Sequence, residues 1–375
     1  MRTKFLSIRI FLIFIVLIFI WNFIQSVFNN SSSDQREKEK LCIEEHLKAQ
    51  FSYHENIFRT KFINVSLSES IEPICQNGTK LVIVTHSSPK DFLKRQTIRL
   101  TWGQWTWSSR FYQVFNNKQF SKRTELFFII GNNNKLQRSD WLQLLKESAS
   151  FRDIIYYPHL FDNYYNLTNK TIAMLNWVTK SCPAAEFIMK TDSDIFLNIP
   201  LLVKSINNQD LVGLSFLAGT KLLDPSVNRD IENKWYVSKE EYKYEVFPPY
   251  VEGPGYILSR LAVLHLNRKL KNLKRKRNLF KKFEDVFLGF MIENSEISLL
   301  NWNHFMLQIN YPDLCIGYTY IVLHKITPYD LISNWCSFVS MNMTCPYLSN
   351  EQISFLFDTS ALHKFDFAFN NDFIV

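Results

Sequence analysis

The chain has 375 residues, of which 46% are hydrophobic and 21% are charged, and it carries a formal net charge of +8. This composition excludes a disordered chain, because the apolar residues suffice for the core of one large domain. The positive charge favours an anionic partner, which could be nucleic acid, a phosphate-bearing ligand or a membrane surface. None of the 6 cysteines belongs to a Cys-x-x-Cys pair, so a thiolate zinc site is not expected.

The N-terminal segment has the pattern of a membrane signal-anchor. Three basic residues precede Ile10, and residues 10–28 are almost all apolar. As a helix this run would span roughly 28 Å, close to the ~30 Å hydrocarbon core of a bilayer. The basic residues before it predict a cytosolic N-terminus and a lumenal remainder. A cleaved signal peptide is the alternative, but its apolar region is usually shorter, and residues 25–28 offer no good cleavage site.

We therefore expect a cytosolic tail (1–9), a transmembrane signal-anchor (10–28), a polar lumenal stem (29–76) and a folded lumenal domain (77–375). Part of the stem, around Leu41–Phe58, is compatible with a helix. If the domain is lumenal, its N-x-[ST] sequons are candidates for N-glycosylation. The resulting N-glycosylation candidates are Asn64, Asn77, Asn166, Asn169 and Asn342.

The even number of cysteines favours disulfide bonds in a lumenal domain. The sequence leaves their pairing open, and Cys336 with Cys345 is the local pair that we expect. The alternative is that some of the cysteines are buried free thiols.

From residue 80 onward, short apolar runs alternate with segments of helical spacing. We expect strands at 81–84, 125–130, 154–157 and 187–190, and helices at 92–101, 139–150 and 168–180. Ser139 is the expected N-cap of the second helix, and Thr168 or Asn169 that of the third. The alternation predicts a mostly parallel, three-layer α/β sheet. Ligands bind such sheets beyond the carboxyl ends of the strands.

An acidic motif follows the strand at 187–190. Asp192 and Asp194 flank Ser193 at the expected strand end. Carboxylates suit a hard divalent cation that keeps open positions for substrate phosphates, and such a cation neutralises a pyrophosphate leaving group. The alternative is a solvated acidic turn or a helix cap.

Three further motifs carry reactive side chains. Glu284 and Asp285 could include a general base, or they could simply begin a helix, where acids favour the macrodipole. His324 ends an apolar run and could be a metal ligand or a hydrogen-bonded structural histidine. Arg95 and Arg99 share one helix face, where they could bind a diphosphate or form surface ion pairs.

Together these motifs resemble those of the β1,3-galactosyltransferase and β1,3-N-acetylglucosaminyltransferase family of Golgi type II membrane enzymes. The resemblance extends over residues 80–324 and follows the family's order. It rests on residues 95–103, 127–131, 162–171, 190–196, 247–256 and 284–289, and on His324.

The resemblance implies a GT-A, Rossmann-like fold, a UDP-sugar donor, a glycan acceptor on lipid or protein, Mn2+ as the usual metal, and inverting transfer that forms a β1,3 linkage. It implies that Asp194 and His324 bind the metal, and that Asp192 lies by the metal or the ribose. Asp285 would be the general base. The implied donor-binding residues are Arg95, Arg99, Asp192 and Lys190, and the implied sugar- and acceptor-binding residues are Glu252, Gly253, Gly255, Tyr256 and Glu284. The family often has an acidic residue at the position of Ser193. The two acidic residues on either side, Asp192 and Asp194, are present in this chain.

The sequence also offers two other functions. A catalytically silent, chaperone-like relative is disfavoured, because Asp192, Asp194, Asp285 and His324 are all present. A nucleic-acid binder is suggested by the basic run 274–277, but a lumenal domain would not meet nucleic acid. Within the family, residues 247–256 favour UDP-galactose over UDP-N-acetylglucosamine as donor.

Overall fold

The computed structural model describes residues 37–49, 72–107, 124–133, 136–208, 211–273, 280–302, 304–306 and 319–339. The expected anchor, the sequons at Asn64 and Asn342, Cys345 and the basic run 274–277 lie outside the described residues. Among those that are described, no helix has the length and apolar character needed to cross a membrane.

Ten strands and nine α-helices are described within these ranges. The strands are β1 Leu81–His86, β2 Thr124–Asn132, β3 Ile154–Phe161, β4 Phe187–Asp192, β5 Ile195–Leu197, β6 Phe216–Leu222, β7 Tyr250–Ser259, β8 Ser298–Asn301, β9 Phe305–Met306 and β10 Val322–His324. The helices are α1 at residues 37–49, α2 Phe92–Leu100, α3 Gln104–Trp107, α4 Arg138–Phe151, α5 Leu167–Ser181, α6 Ile199–Asn208, α7 Arg260–Leu273, α8 Glu284–Ile292 and α9 Pro328–Val339.

A seven-stranded mixed sheet forms the centre of the domain. Its strand order is β3-β2-β1-β4-β7-β6-β8, and within it only β7 runs antiparallel to its neighbours in the described part of the chain. A smaller sheet has the order β5-β10-β9. The predicted mostly parallel sheet is therefore confirmed, with an antiparallel strand inserted beside β4.

Helices cover both faces of the large sheet, as alternation along β1 shows. Leu81 and Ile83 join a core cluster with residues of α2, α3, α6 and α9, whereas Val82 and Val84 join a cluster with residues of α5, α7 and α8. Strand residues point alternately to opposite faces, so a fully buried strand such as β1 must be apolar throughout. This is the predicted three-layer arrangement.

The predicted strands and helices are all present, but two helix caps differ. The N-cap of α4 is Gln137, whose backbone N–H donates to the Asp140 carboxylate at 3.3 Å. The N-cap of α5 is Asn166, because a 3-10 turn at Tyr164–Asn166 leads directly into this helix. Thr168 is therefore inside the first turn, and its hydroxyl donates to the Lys281 carbonyl at 2.9 Å.

The disulfide bonds correct the expected pairing of Cys336 with Cys345. Cys336 bonds to Cys42, and Cys75 bonds to Cys182. The first bond joins α1 to α9, since α1 packs against the core rather than extending away from it. His46 strengthens this packing, because its Nε2 lies 2.9 Å from the Leu100 carbonyl oxygen at the end of α2. Part of the segment that composition assigned to the stem is thus packed on the domain.

We expect peptide mapping of the unreduced protein to recover a peptide pair that contains Cys42 and Cys336. In the Cys42→Ser/Cys336→Ser double variant the free energy of unfolding should fall by about 2–4 kcal/mol, because the unfolded chain gains conformational freedom. Urea denaturation measures the change. Cys345→Ser is the matched control and should leave this bond and the stability unchanged, while a Cys336–Cys345 peptide would contradict the pairing.

Candidate active site

A cavity of about 800 Å3 opens at the carboxyl edge of the central strands. Its lining includes the last residues of β1 and β4, the first half of β7 and the first residues of α8. This is the edge at which ligands bind in open α/β sheets. Several of the predicted site residues line it, namely Lys190, Asp192, Asp194, Glu252, Gly253, Glu284, Asp285 and His324.

Asp192, Asp194 and His324 form a compact ligand set. One ligand atom from each residue, a carboxylate oxygen of each aspartate and an imidazole nitrogen, lies within 4.8 Å of the other two. The antiparallel pairing of β5 with β10 places His324 opposite Ile195 and so beside Asp194, and His324 Nε2 lies 3.6 Å from Asp194 Oδ1. Burial alone would raise the pKa of Asp194, but the hydrogen bond and charge of His324 outweigh it and lower that pKa. Two carboxylates and one imidazole are a donor set that Mn2+ accepts.

The buried ammonium of Lys190 holds the two acidic motifs together. Its Nζ donates to Asp192 Oδ1 at 2.7 Å and to the Gly253 carbonyl at 2.6 Å, and it lies 4.0 Å from Glu284 Oε2. Burial would lower the pKa of Lys190, but the surrounding carboxylates raise it above its ordinary value. Lys190 is therefore charged and positions these groups.

Glu284 and Asp285 begin α8 and face the same cavity. Asp285 Oδ1 accepts the Val286 amide at 2.9 Å, and burial raises the pKa of Asp285. Glu284 accepts hydroxyl hydrogen bonds from Thr171, at 2.7 Å, and from Tyr256. Asp285 has no such side-chain donors among the described residues, and its carboxylate is held by backbone amides, including that of Gly253, while it lines the cavity.

Gly253 allows the close approach of β7 to this pair of acids. A Cβ at this position would lie 3.3 Å from Glu284 Oε2 and 3.4 Å from Asp285 Oδ2. The 3.3 Å distance to Glu284 is shorter than ordinary van der Waals contact, and the 3.4 Å distance to Asp285 is at its lower limit. A glycine here lets both carboxylates stay at the edge of the strand.

Arg95 and Arg99 are buried, and neither lines the cavity, which corrects their expected contact with the donor. Arg95 binds both carboxylate oxygens of Glu147, at 2.8 and 2.7 Å. Arg99 binds Asp153 at 2.7 and 2.9 Å and also binds Glu147 at 2.7 Å. The two arginines share a helix face as predicted, but that face turns towards α4 and the chain after it.

Arg95 still acts on the cavity indirectly. Its Nη1 donates to Ser87 Oγ at 3.0 Å, and Lys170 donates to the Ser87 carbonyl at 3.0 Å and to Asp162 at 2.6 Å. Ser87, Asp162 and Lys170 line the cavity. Buried cations therefore fix the loop that follows β1.

Gly255 and Tyr256 also do not reach the cavity, in contrast to the expected sugar or acceptor contact. The Tyr256 side chain is fully buried, and its ring centroid lies 5.5 Å from Lys190 Nζ. A Cβ at Gly255 would lie 3.0 Å from the Val322 side chain. The Tyr256 side chain lies in the core, where it contacts Lys190 and Glu284 on the side away from the cavity.

The expected glycosylation sites differ in exposure. Asn77 and Asn169 are exposed, and Asn166 is half-buried. The Asn166 side chain donates to the Phe161 carbonyl at 2.9 Å. Their use as sites stays a prediction.

His86 is a cavity residue that the sequence patterns did not single out. It ends β1 directly beside Asp192 in the register of β1 with β4, and it is buried. Neither ring nitrogen has a hydrogen-bond partner among the described residues. Burial lowers the pKa of His86 well below its ordinary value, and the charges of Lys190 and Lys170 lower it further. A neutral imidazole with a free donor and acceptor therefore faces the cavity.

Aromatic residues at the cavity mouth were also not anticipated. Tyr164 and Trp235 line it, together with Lys234. Tyr164 lies within residues 162–171, one of the segments that carry the family resemblance, but no role was expected for it. Trp235 is an aromatic residue beside a lysine in a polar segment, a pattern too common to indicate a site.

Comparison with known proteins identifies similar chains. The family model described as Galactosyltransferase matches residues 93–303. The UDP-GalNAc:beta-1,3-N-acetylgalactosaminyltransferase 1 of Homo sapiens is 34% identical over 304 residues, which are 79% of this chain and 85% of that protein. The Beta-1,3-galactosyltransferase 5 of Homo sapiens is 30% identical over 259 residues, 68% of this chain and 77% of that protein. A solved glycosyltransferase involved in the glycosylation of the major capsid of PBCV-1 aligns with 68% of this chain at 9% identity and a TM-score of 0.36, too low to identify a fold.

Glu147→Ala should lower the free energy of unfolding by about 3–5 kcal/mol, because it leaves two buried guanidinium groups without their shared carboxylate. Chemical denaturation measures this change. Glu72→Ala is the control, since Glu72 pairs with Lys180 at the surface and such pairs contribute about 0–1 kcal/mol. Equal effects of the two substitutions would contradict the structural importance of the buried network.

Proposed function

The chain belongs to the Galactosyltransferase family and is a glycosyltransferase, and from that premise we propose that it is an inverting, metal-dependent hexosyltransferase. It moves a sugar from a UDP-sugar donor to a glycan acceptor on lipid or protein, in β1,3 linkage. The β1,3 linkage is supported by the names of the similar human enzymes. The mixed α/β sheet is consistent with the GT-A fold that the motifs implied.

The observation that carries this proposal is the meeting of two acidic motifs in one cavity. The ligand set of Asp192, Asp194 and His324 and the carboxylate of Asp285 line the same space. Lys190 lies between them and contacts both motifs. A site for the diphosphate of a donor and a base for an acceptor hydroxyl are thus adjacent, as direct transfer requires.

The residues would divide the chemistry as follows. Asp192, Asp194 and His324 would hold Mn2+, which when bound supplies Lewis-acid neutralisation of the diphosphate charge. Asp285 takes the proton of the acceptor hydroxyl, whose oxygen forms the new bond to the anomeric carbon as the bond to UDP breaks. Glu284, held by Thr171 and Tyr256, fixes the start of α8. Because the acceptor attacks from the face opposite UDP, the configuration inverts.

The sheet order suggests how the donor lies in the cavity. β4, with Asp192, stands between β1, with His86, and β7, with Gly253. The diphosphate belongs at β4, beside the metal ligands. The transferred sugar extends towards β7 and Asp285, so the nucleoside extends towards β1, where the free nitrogens of His86 can bind its polar groups.

We propose UDP-galactose as the donor. UDP-N-acetylgalactosamine is a second candidate, favoured by the name of the human relative that is 34% identical. UDP-N-acetylglucosamine belongs in the same assay. Galactose and N-acetylgalactosamine differ in the group at C2, and N-acetylglucosamine differs from N-acetylgalactosamine in the configuration at C4. A pocket discriminates among the three by the contacts available to these groups.

We also propose that the chain is a single-pass type II protein of the Golgi membrane, with its catalytic domain in the lumen. The apolar run at 10–28, the basic residues before it and the sequons support this placement. The two disulfide bonds suit an oxidising compartment.

The deciding experiment measures UDP release by the full chain in detergent, with each of the three donors, Mn2+ and a panel of sugar acceptors. We expect turnover that EDTA abolishes. Asp285→Asn should lower kcat by at least about 100-fold, because it removes the base, while the Kd for UDP stays unchanged. No turnover by folded protein that binds no UDP would instead favour the silent, chaperone-like alternative.

His86→Leu should weaken UDP binding by about tenfold, because it removes hydrogen bonds to the nucleoside. The same substitution should leave the melting temperature unchanged or raise it, because it removes buried polar atoms that lack partners in the free protein. Calorimetric titration with UDP and thermal denaturation measure the two effects. Unchanged affinity for UDP would contradict the placement of the nucleoside beside β1.

A further inference from the structure

We infer that Trp235 and Tyr164 form an aromatic wall that binds the pyranose ring of the acceptor glycan. This inference rests on the proposed function and adds to it the subsite that holds the acceptor. We call these two side chains the aromatic wall.

The aromatic wall is built from two distant segments. Tyr164 lies in the 3-10 turn between β3 and α5, and Trp235 lies in the long connection between β6 and β7. The Trp235 indole Nε1 donates to the Tyr164 hydroxyl at 3.1 Å. This bond joins the rings by their polar ends. The Tyr165 ring packs edge-on with Tyr164 at a centroid distance of 5.6 Å, so the indole is the more open of the two rings.

The connection that carries Trp235 is held in place by its own hydrogen bonds. The Trp235 amide donates to Asn233 Oδ1 at 2.9 Å. Arg229 donates to the carbonyls of Val237 and Tyr242, at 2.8 and 2.9 Å. A ring on a segment that is already ordered loses little conformational entropy when a ligand binds.

The aromatic wall is exposed although it lines the cavity. Trp235 is 54% exposed and Tyr164 is 37% exposed. The Lys234 ammonium lies 4.2 Å from the centroid of the Tyr164 ring and 5.8 Å from that of Trp235, so the cation is placed closest to Tyr164. The indole is the larger and more open surface of the two.

The position of the wall relative to Asp285 selects its occupant. Thr168, which follows the Tyr164 turn, donates to the Lys281 carbonyl at 2.9 Å, and Lys282 Nζ lies 5.7 Å from the ring centroid of Tyr236. Both segments of the wall therefore lie beside the chain that leads into Asp285. Tyr250 and Phe283 line the same cavity. The acceptor hydroxyl must reach Asp285, and the sugar ring that carries it then lies against this aromatic surface.

A pyranose ring matches the chemistry of the wall. One face of the ring presents C–H groups, which pack on an aromatic face, while the hydroxyl groups around its edge stay polar. Tyr and Trp serve where one side of a ligand is apolar and the other is wet. Lys234 and Lys282 also line the cavity and can meet the hydroxyl groups at the edge.

The uracil of the donor is the competing occupant, because a base also stacks on aromatic rings. The two are separated by measuring donor and acceptor independently. Calorimetry with UDP and Mn2+ reports the nucleotide, whereas steady-state kinetics with p-nitrophenyl hexosides reports the acceptor.

With the full chain in detergent, Trp235→Ala should raise the acceptor KM by about tenfold and leave the Kd for UDP unchanged. Tyr164→Phe should raise the acceptor KM by about threefold, because the indole loses its hydrogen-bond acceptor while the phenyl ring remains. Tyr244→Ala is the matched control. Tyr244 is an exposed aromatic residue of the same connection that does not line the cavity, so its acceptor KM should stay at the wild-type value.

An unchanged acceptor KM in Trp235→Ala would overturn the inference and leave the proposed function standing. A weakened UDP affinity would assign the wall to the donor and overturn it as well. If Trp235→Ala is unfolded by circular dichroism, Tyr164→Phe decides the matter alone. Absence of transfer by the wild-type chain would refute the proposed function and the inference together.

Discussion

The candidate site depends on one buried positive charge. Asp192, Asp194, Glu284 and Asp285 line a single cavity, and without a counterion their mutual repulsion would drive several of them to the protonated form. Lys190 lies on β4 beneath this group and reaches both acidic motifs. Because its ammonium also binds the Gly253 carbonyl, the same contact fixes β7, the antiparallel strand of the sheet, against β4.

The remaining elements of the site are arranged around this contact. Tyr256 supports both Lys190 and Glu284 from the core. The small sheet brings His324 to Asp194, although the two residues are far apart in sequence. Packing, strand pairing and charge therefore agree on one arrangement, which is the condition for a fixed active site.

The sequence predicted the sheet well because its central strands are uninterrupted apolar runs, as at Leu81–Val84. The positions of Asp192, Asp194, Asp285 and His324, at the ends of apolar runs or the start of a helix, made each a candidate, and the family resemblance joined them into one set. The sequence-based prediction failed where the pattern could not say whether a side chain points into the core or away from it. The helix face of Arg95 and Arg99 could turn outward or inward, and only the position of Glu147 on α4 decides it. Tyr256 was misplaced for the same reason, because alternation along β7 cannot say which face meets the cavity. His86 gave no signal, since one histidine after a strand is common.

The Cys42–Cys336 bond gives the chain an unusual connectivity. It ties the first described helix to the last one, so that almost the whole described fold lies within one covalent loop. A single peptide-bond cut between residues 49 and 72 would therefore not separate α1 from the catalytic domain. After such a cut, whatever lies before residue 37 stays attached to the domain through the Cys42–Cys336 bond, and release of the domain requires reduction as well.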